Sequence, residues 1–527
     1  MNPTSSSAAP VQSQPSGTLM GHPAGLFLLF AVEMWERFSY YGMRGLLVLY
    51  LIRPITGDLK GFNPGRGWTQ ESASVLYGWY TGLAYLFPIL GGMIADKLIG
   101  THRSMIVGGL LISLGHIVLG ISGIGDMAQS QLGMSVFVFG LALIVLGTGH
   151  FKPSVSVMVG QLYQQGDPRR DGAFTIFYMG INLGAFLCAF ICGTLGEKVG
   201  WHWGFASAAV GMLLGLGLYM KLRPLYLQGI GEPAQGSGRS APLFLLLGTI
   251  LSALFALAYH TGAVSNLQQY MTPTLTFSIA AVVGVLSVLF IMSQPRGDRG
   301  PVATIFIFML FNAFFWIAFE QAGSSINVFT EQKTHRFIGS FEVPATWFQS
   351  VNAGLIFILA PLFASLWTAL GRRRMNPSQP VKIALGLIFL GVGYLFMVWA
   401  GKIAMGSAAK ASMLFVLMTY FWHTVGELCL SPTGLSYVTK AAPIRFVSLL
   451  MGIWFVSSFI ANLGGGIVAS KVEAIEQGKL SLPWYSIVKF GGQADFFFLF
   501  VVTSIGAGLV ILVLTPILKH LMRNPED

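Results

Sequence analysis

The stretch Ala31-Val-Glu-Met-Trp-Glu-Arg-Phe-Ser-Tyr-Tyr-Gly-Met-Arg44 lies inside an apolar run from Ala24 to Ile52. A membrane-crossing helix needs about 20 predominantly apolar residues, and this run supplies them. It also carries Glu33, Glu36, Arg37 and Arg44. On a helix, positions 33, 37, 40 and 44 step by four, three and four and share one face, with Glu36 and Tyr41 beside it. Each ionised side chain at a bilayer centre costs roughly 2.5–3.5 kcal/mol on insertion scales. Four charges in one span must pair with each other or face a water-filled cavity.

The rest of the chain supports the membrane reading. The 527 residues are 54% hydrophobic and 10% charged, with mean hydropathy +0.68; a soluble protein carries about 25% charged residues. The fold class is therefore an all-α polytopic membrane protein. Apolar runs separated by short polar links predict fourteen spans, at 24–52, 72–96, 104–123, 132–158, 171–196, 202–222, 242–262, 274–294, 302–332, 344–370, 381–401, 409–438, 446–470 and 494–520. Several exceed the bilayer thickness, which implies tilt or extension beyond it. The net charge of +11 fits a positive-inside bias rather than nucleic-acid binding. Lys and Arg in alternate links form two sets, 17 against 11. The richer set includes Lys97, Arg103, Arg169, Arg372 and Lys519, and is predicted to be cytoplasmic, which puts both termini inside. Residues 1–23, rich in Ser, Pro and Ala, read as a disordered cytoplasmic tail without a signal peptide's basic start. Cys188, Cys192 and Cys429 fit neither a zinc site nor a disulfide framework and read as small packing residues, and no metal site is expected.

The link from Gly229 to Ala241 is rich in Gly, Ser and Pro and reads as flexible. The two spans after it carry no acid or base, only His260, and resemble passive helices against lipid. Setting them aside leaves six plus six, the arithmetic of the major facilitator fold with its site near the midplane. The expected organisation is a six-helix bundle at 24–222, a linker with two extra helices at 223–300, and a second bundle at 301–522. Gly92-Met-Ile-Ala-Asp96-Lys97-Leu-Ile-Gly100-Thr-His-Arg103 resembles the cytoplasmic loop G-x-x-x-D-[RK]-x-x-G-x-x-[RK] of that superfamily. Asp96, Lys97 and Arg103 are its candidate gating charges, able to pin one bundle to the other in one conformation.

Numbering the core spans 1 to 12, the other membrane-depth polar residues are few. They are Lys152 in span 4, Asn182 in span 5, Glu320 in span 7, Asn352 in span 8 and Glu427 in span 10. All the membrane-depth cations fall in the first bundle, while the second contributes two acids with no Lys or Arg one turn away. Such a cavity fits a zwitterion, with the carboxylate toward Arg or Lys and the amine toward an acid. A carboxyl removed from water holds a proton more readily, and a nearby Arg opposes this. Protonation of Glu320 would then loosen a pairing with Arg44 and bias which gate is open. Static buried pairs that hold helices together are the competing reading, strongest for Glu33, Glu36 and Arg37. Pro153 and Pro432 are candidate breaks in spans 4 and 10. Trp316 and Trp454 suit pocket walls, lipid-facing positions or core alike. His116, His150, His260 and His423 suit local packing or a hydrogen bond, with a proton relay as the alternative.

Glu33-Met-Trp-Glu36-Arg37-Phe-Ser-Tyr40-Tyr41 resembles the E-x-x-E-R-F-x-Y-Y signature of the proton-dependent oligopeptide transporters, within the major facilitator superfamily. The segments ending at Lys152 and surrounding Asn182, Glu320 and Glu427 are similar to further motifs of that family, in order and on the expected spans. The resemblance implies symport of di- and tripeptides with protons, driven by the proton gradient with no cofactor. It implies a monomer in the lipid of a bacterial inner membrane, not an enzyme and not a nucleic-acid binder. Carried over by resemblance, Glu33, Glu36, Arg37, Lys152 and Glu320 match proton-coupling positions. Tyr40, Arg44 and Lys152 match groups that receive the peptide carboxylate. Glu427, Asn182 and Asn352 match those for the amino end and backbone, and Tyr77, Trp316, Ser431 and Trp454 match pocket positions. The chain departs from the animal members in lacking a span-2 histidine, with Tyr77 and its neighbours there instead, and Lys97 replaces the commoner Arg. The same fold could carry an amino acid, nitrate or a peptide-like drug. A membrane-embedded enzyme or sensor is disfavoured, because the chain holds no catalytic motif or signalling domain.

Overall fold

The computed structural model describes residues 17–57, 63–164, 167–233, 240–264, 273–406, 409–443 and 446–522. Fourteen long helices occupy the apolar runs. In the first half they are α1 (Ala24–Ile52), α2 (Gln70–Ile94), α3 (Thr101–Ile121), α4 (Gln131–Gln161), α5 (Arg170–Cys188) and α6 (Trp201–Tyr226). Two more follow, α7 (Ala241–His260) and α8 (Pro273–Ser293). The second half holds α9 (Arg296–Phe319), the short α10 (Ser325–Lys333), α11 (Ser350–Arg372), α12 (Gln379–Ile403), α13 (Met413–Ala441), α14 (Val447–Ala469), the short α15 (Val472–Glu476) and α16 (Gln493–Leu521). Their starts are written locally. The Thr69 hydroxyl accepts from Ser72 N at 3.2 Å and caps α2, and the Ser130 hydroxyl accepts from Gly133 N at 3.0 Å and caps α4. α7 and α12 open with a proline, which needs no amide partner there.

Among the described residues, twelve helical segments are long and apolar enough to cross a membrane. α1 is not among them, because every 18-residue window of it contains at least three of its four charges. α8 is not among them either, because its apolar stretch among the described residues is the shorter Ala281–Ser293. The charged α1 is a helix that a simple hydropathy test discards.

Helices in lipid gain little from apolar burial against one another, so small residues that allow close approach matter most. α3 and α4 cross through Gly108 against Gly147 and Gly115 against Gly140. A Cβ on Gly108 would stand 2.6 Å from the Gly147 carbonyl, and one on Gly115 would stand 2.7 Å from that of Gly140. Around these crossings α1 packs on α5 and α6, and α2 on α4. In the second half α12 packs on α13 and α16, and α9 on α14 and α16, around Phe308, Phe315, Tyr394, Phe497 and Phe500. The halves meet through α2 with α14 and α5 with α11. α7 leans on α3 and α4, where His260 Nδ1 bonds the Ser135 hydroxyl at 2.9 Å.

Three expectations are corrected. The expected disordered tail extends to Pro23, but Gly17–Pro23 is folded onto the protein (residues 1–16 lie outside the described residues). His22 Nδ1 meets the Tyr163 hydroxyl at 2.8 Å, and Arg169 donates to the Gly21 carbonyl at 3.0 Å. The start of the flexible link is likewise docked. His102 N donates to the Gly231 carbonyl at 3.0 Å, Gly231 N donates to Gln161 at 2.9 Å, and residues 234–239 lie outside the described residues. Neither Pro153 nor Pro432 breaks its helix. Pro153 lacks the amide that would bond the Gly149 carbonyl, and α2 fills that place by laying Gly91 against it. The loop charges are expected to pin the halves in one conformation only; in this one Asp96 and Lys97 are exposed, and Arg103 pairs with Glu232 of the linker at 3.4 Å.

Candidate functional site

α9 stops at Phe319, a single turn of 3₁₀ helix covers Glu320–Gly323, and α10 resumes at Ser325. Irregular backbone at this depth is tolerated where protein covers it or it lines a cavity. Gly323 lets Tyr77 pack directly on the turn, since a Cβ there would stand 1.9 Å from the Tyr77 hydroxyl. The break places Glu320 opposite α1, and its carboxylate forms an ion pair with the Arg44 guanidinium. Arg44 Nε also donates to the Tyr77 hydroxyl at 2.6 Å, and its guanidinium lies 5.6 Å from the Tyr41 ring centre. Both partners are buried, so the pair is a charge bridge between the two halves.

A cavity of about 260 Å³ lies beside this bridge. Arg44 and Glu320 line one part of it, and Glu427, Asn352 and Ser431 line another. Asn352 Nδ2 donates to Glu427 Oε2 at 2.9 Å and to the Thr424 hydroxyl at 3.0 Å, which fixes the Glu427 carboxylate. Asn182 is held by its bond to the Tyr178 carbonyl at 3.0 Å, and the Trp316 indole donates to Asn312 at 3.1 Å. Both residues line the cavity. The Ser431 hydroxyl has no protein partner among the described residues.

The proton-linked candidates form a separate layer about two to three turns away from Arg44 along α1. Arg37 Nε lies 3.1 Å from Glu33 Oε1 and contacts the Glu36 carboxylate, and all three side chains are buried. Lys152 does not join them in an ion pair among the described residues. Its ammonium sits 3.8 Å from the centre of the Tyr85 ring, and Tyr85, not Lys152, lines the cavity.

Four residues carried into the pocket by resemblance stand outside its lining. Tyr40 stacks on Tyr80 at 6.4 Å, Tyr77 holds Arg44 from behind, Lys152 is screened by Tyr85, and the Trp454 ring packs over Gly434. The α2 tyrosine that reaches the cavity is therefore Tyr85, eight residues and about two turns beyond Tyr77. The sequence reading also missed Gln349, Tyr178 and Tyr420, which line the cavity as well. The signal for two of them existed. Tyr420, Thr424, Glu427 and Ser431 recur at helical spacing, and Tyr178 precedes Asn182 by one turn. Cys188, read as packing, is buried and contributes to the cavity wall. Of the histidines, His150 bonds the Ser104 hydroxyl at 3.0 Å, and His423 stacks near Tyr394 at 4.8 Å. His116 is buried with neither ring nitrogen bonded among the described residues.

Two helical halves with an ion pair between them, beside a polar cavity, define a membrane carrier of major facilitator type. The comparisons with known proteins agree. A model of the POT family matches residues 102–484. The chain is 36% identical over 525 residues to the peptide transporter YePEPT of Yersinia enterocolitica, covering 97% of each chain. It is 34% identical over 514 residues to a di-/tripeptide transporter of Lactococcus lactis subsp. cremoris, covering 95% of this chain and 97% of that one. A crystal structure of a peptide transporter POT in complex with sulfate superposes with TM-score 0.77 at 33% identity, covering 96% of this chain and 97% of the other. A POT family transporter in complex with 5-aminolevulinic acid gives TM-score 0.78 at 28% identity, covering 96% and 99%. The chain belongs to the POT family, a family of transporters and not of enzymes.

Proposed function

We propose that this protein is a proton-coupled symporter that imports di- and tripeptides across a bacterial inner membrane, with both termini cytoplasmic. The observation that carries the reading is the buried Arg44–Glu320 pair beside a cavity whose other acid is Glu427. A peptide's carboxylate can take the Arg44 guanidinium from Glu320, and its ammonium can bond Glu427. A proton on Glu320 removes the charge that competes for Arg44, so proton and peptide favour the same rearrangement. Glu33, Glu36 and Arg37 form a second charged group through which the proton is exchanged, with Lys152 answering from behind Tyr85. Asp96, Lys97 and Arg103 act at the cytoplasmic face when that side closes. The relatives named as peptide and di-/tripeptide transporters support the cargo class.

The polar bonds that join the halves gather on the face opposite the two chain ends. They include Arg53–Glu331 at 2.8 Å, Lys198–Glu342 at 2.9 Å and Glu71–Lys471 at 2.7 Å. That pattern supports an inward-facing conformation with the outer side closed. The test is accumulation of a labelled dipeptide in proteoliposomes under an inward proton gradient. Uphill accumulation that a protonophore collapses is expected; absence of driven uptake for every di- and tripeptide tried refutes the reading.

A further inference from the structure

We propose that Glu197 is the latch of the outer gate, a positioning residue that holds the two halves together when the cavity faces inward. This rests on the alternating-access reading above but not on the identity of the cargo.

The segment after α5 departs from α-helical winding in two places. Residues Ala189–Gly193 and Leu195–Val199 each form a π-helical turn, and such widened turns re-aim side chains and recur at functional sites. Here they aim Gly193, Thr194 and Glu197 at the turn that precedes α11 in the other half. The Glu197 carboxylate accepts three hydrogen bonds from it, from Ala345 N at 2.9 Å, Thr346 N at 2.8 Å and the Thr346 hydroxyl at 2.7 Å. The Trp347 indole adds a donation to the Thr194 hydroxyl at 2.9 Å. Gly193 gives the close approach, since a Cβ there would stand 2.2 Å from the Thr346 hydroxyl oxygen.

This contact differs in kind from the ion pairs around it. Arg53–Glu331, Lys198–Glu342 and Glu71–Lys471 join long side chains of which at least one partner is a third or more exposed. Water competes for such pairs, and each contributes little. Two of the three donors to Glu197 are instead main-chain amides that cannot swing away, and the bonds are charge-assisted, to a more buried partner. All three bonds break together when the halves separate on the outer side, so the latch acts on the equilibrium between the two facing states; Gly193 and Thr346 also line the cavity, so the latch forms part of its wall.

The test places spin labels at Asp126→Cys and Lys479→Cys, exposed positions on the outer loops of opposite halves. The three native thiols are buried. Glu197→Gln keeps the shape but loses the charge and turns one oxygen into a donor facing donors. It should raise the outer-separated population at least fivefold, and Thr346→Val should raise it by a smaller factor. In uptake assays Glu197→Gln should lower the external peptide KM at least threefold, because more of the protein already faces outward, while lowering kcat, because the inward-facing state that releases peptide is less favoured. Glu197→Asp, which keeps the charge, should restore part of the wild-type distribution. Unchanged label distances in both Glu197→Gln and Thr346→Val overturn the latch. Absence of peptide uptake with the expected distance shift refutes the cargo and leaves the latch standing.

Discussion

At the residue scale, the site turns on which of two nearly equivalent positions faces the cavity. Tyr77 and Tyr85 are eight residues apart on α2 and share a face, so helical periodicity alone cannot choose between them. What separates them is the position of their partners in the fold: Arg44 and Gly323 enclose Tyr77, while Lys152 backs Tyr85 against the cavity. A buried cation over an aromatic face is worth about 0.5–2 kcal/mol. Tyr85→Phe keeps that face and should leave driven uptake within about twofold, whereas Tyr85→Ala should reduce it by about tenfold, 1.4 kcal/mol being a factor of ten. Equal loss in both, measured as initial rates in proteoliposomes, would assign the effect to the hydroxyl. Glu320→Gln tests the bridge itself. It removes the proposed proton site and leaves Arg44 without its anion, so concentrative uptake should vanish while counterflow exchange of labelled for unlabelled peptide persists. Retained concentrative uptake removes Glu320 from the proton path.

At the element scale, the helices were legible and their interruptions were not. Hydropathy reports where a chain can sit in lipid, and the expected span 24–52 coincides with α1 at Ala24–Ile52. At the turn by Glu320, Tyr77 of another helix packs directly on Gly323, and beside Pro153 of α4, Gly91 of α2 lies against the Gly149 carbonyl. Both are tertiary facts that no window of local sequence contains. The same holds for the α2–α14 crossing, where Gly78 and Gly466 meet. A Cβ on Gly466 would stand 2.5 Å from the Ser74 carbonyl and 2.6 Å from the Gly78 Cα, both backbone atoms that cannot rotate aside. Gly466→Val must therefore push the two helices apart, at a cost of roughly 1–3 kcal/mol for overpacking. The expected result is a lower unfolding midpoint in detergent together with weakened closure of the outer face. A midpoint equal to that of the parent protein would show that the crossing is looser than its geometry.

At the scale of the whole molecule, the two halves are held at one face and the cavity lies below that seal. Arg44–Glu320 and the Asn327 donation to the Gly45 carbonyl at 2.9 Å cross between halves at the level of the cavity, and the remaining bonds named between halves stack above them. Rocking of one half against the other about a fixed site is how this architecture alternates access. If the sealed face is the outer one, a reporter on the cavity wall must be reached from the cytoplasmic side. Tyr178 is suited to this, since it lines the cavity and is 43% exposed. With Tyr178→Cys, a membrane-impermeant maleimide should label inside-out vesicles at least tenfold faster than right-side-out ones. Saturating dipeptide should slow that labelling by occupying the cavity. An external proton gradient applied with dipeptide should raise labelling from the outer side, because transport then draws the protein through its outward-facing state. Faster labelling from the outer side at rest would reverse the assignment of the faces. Equal labelling from both sides would mean that the bonds on the sealed face do not set the resting conformation.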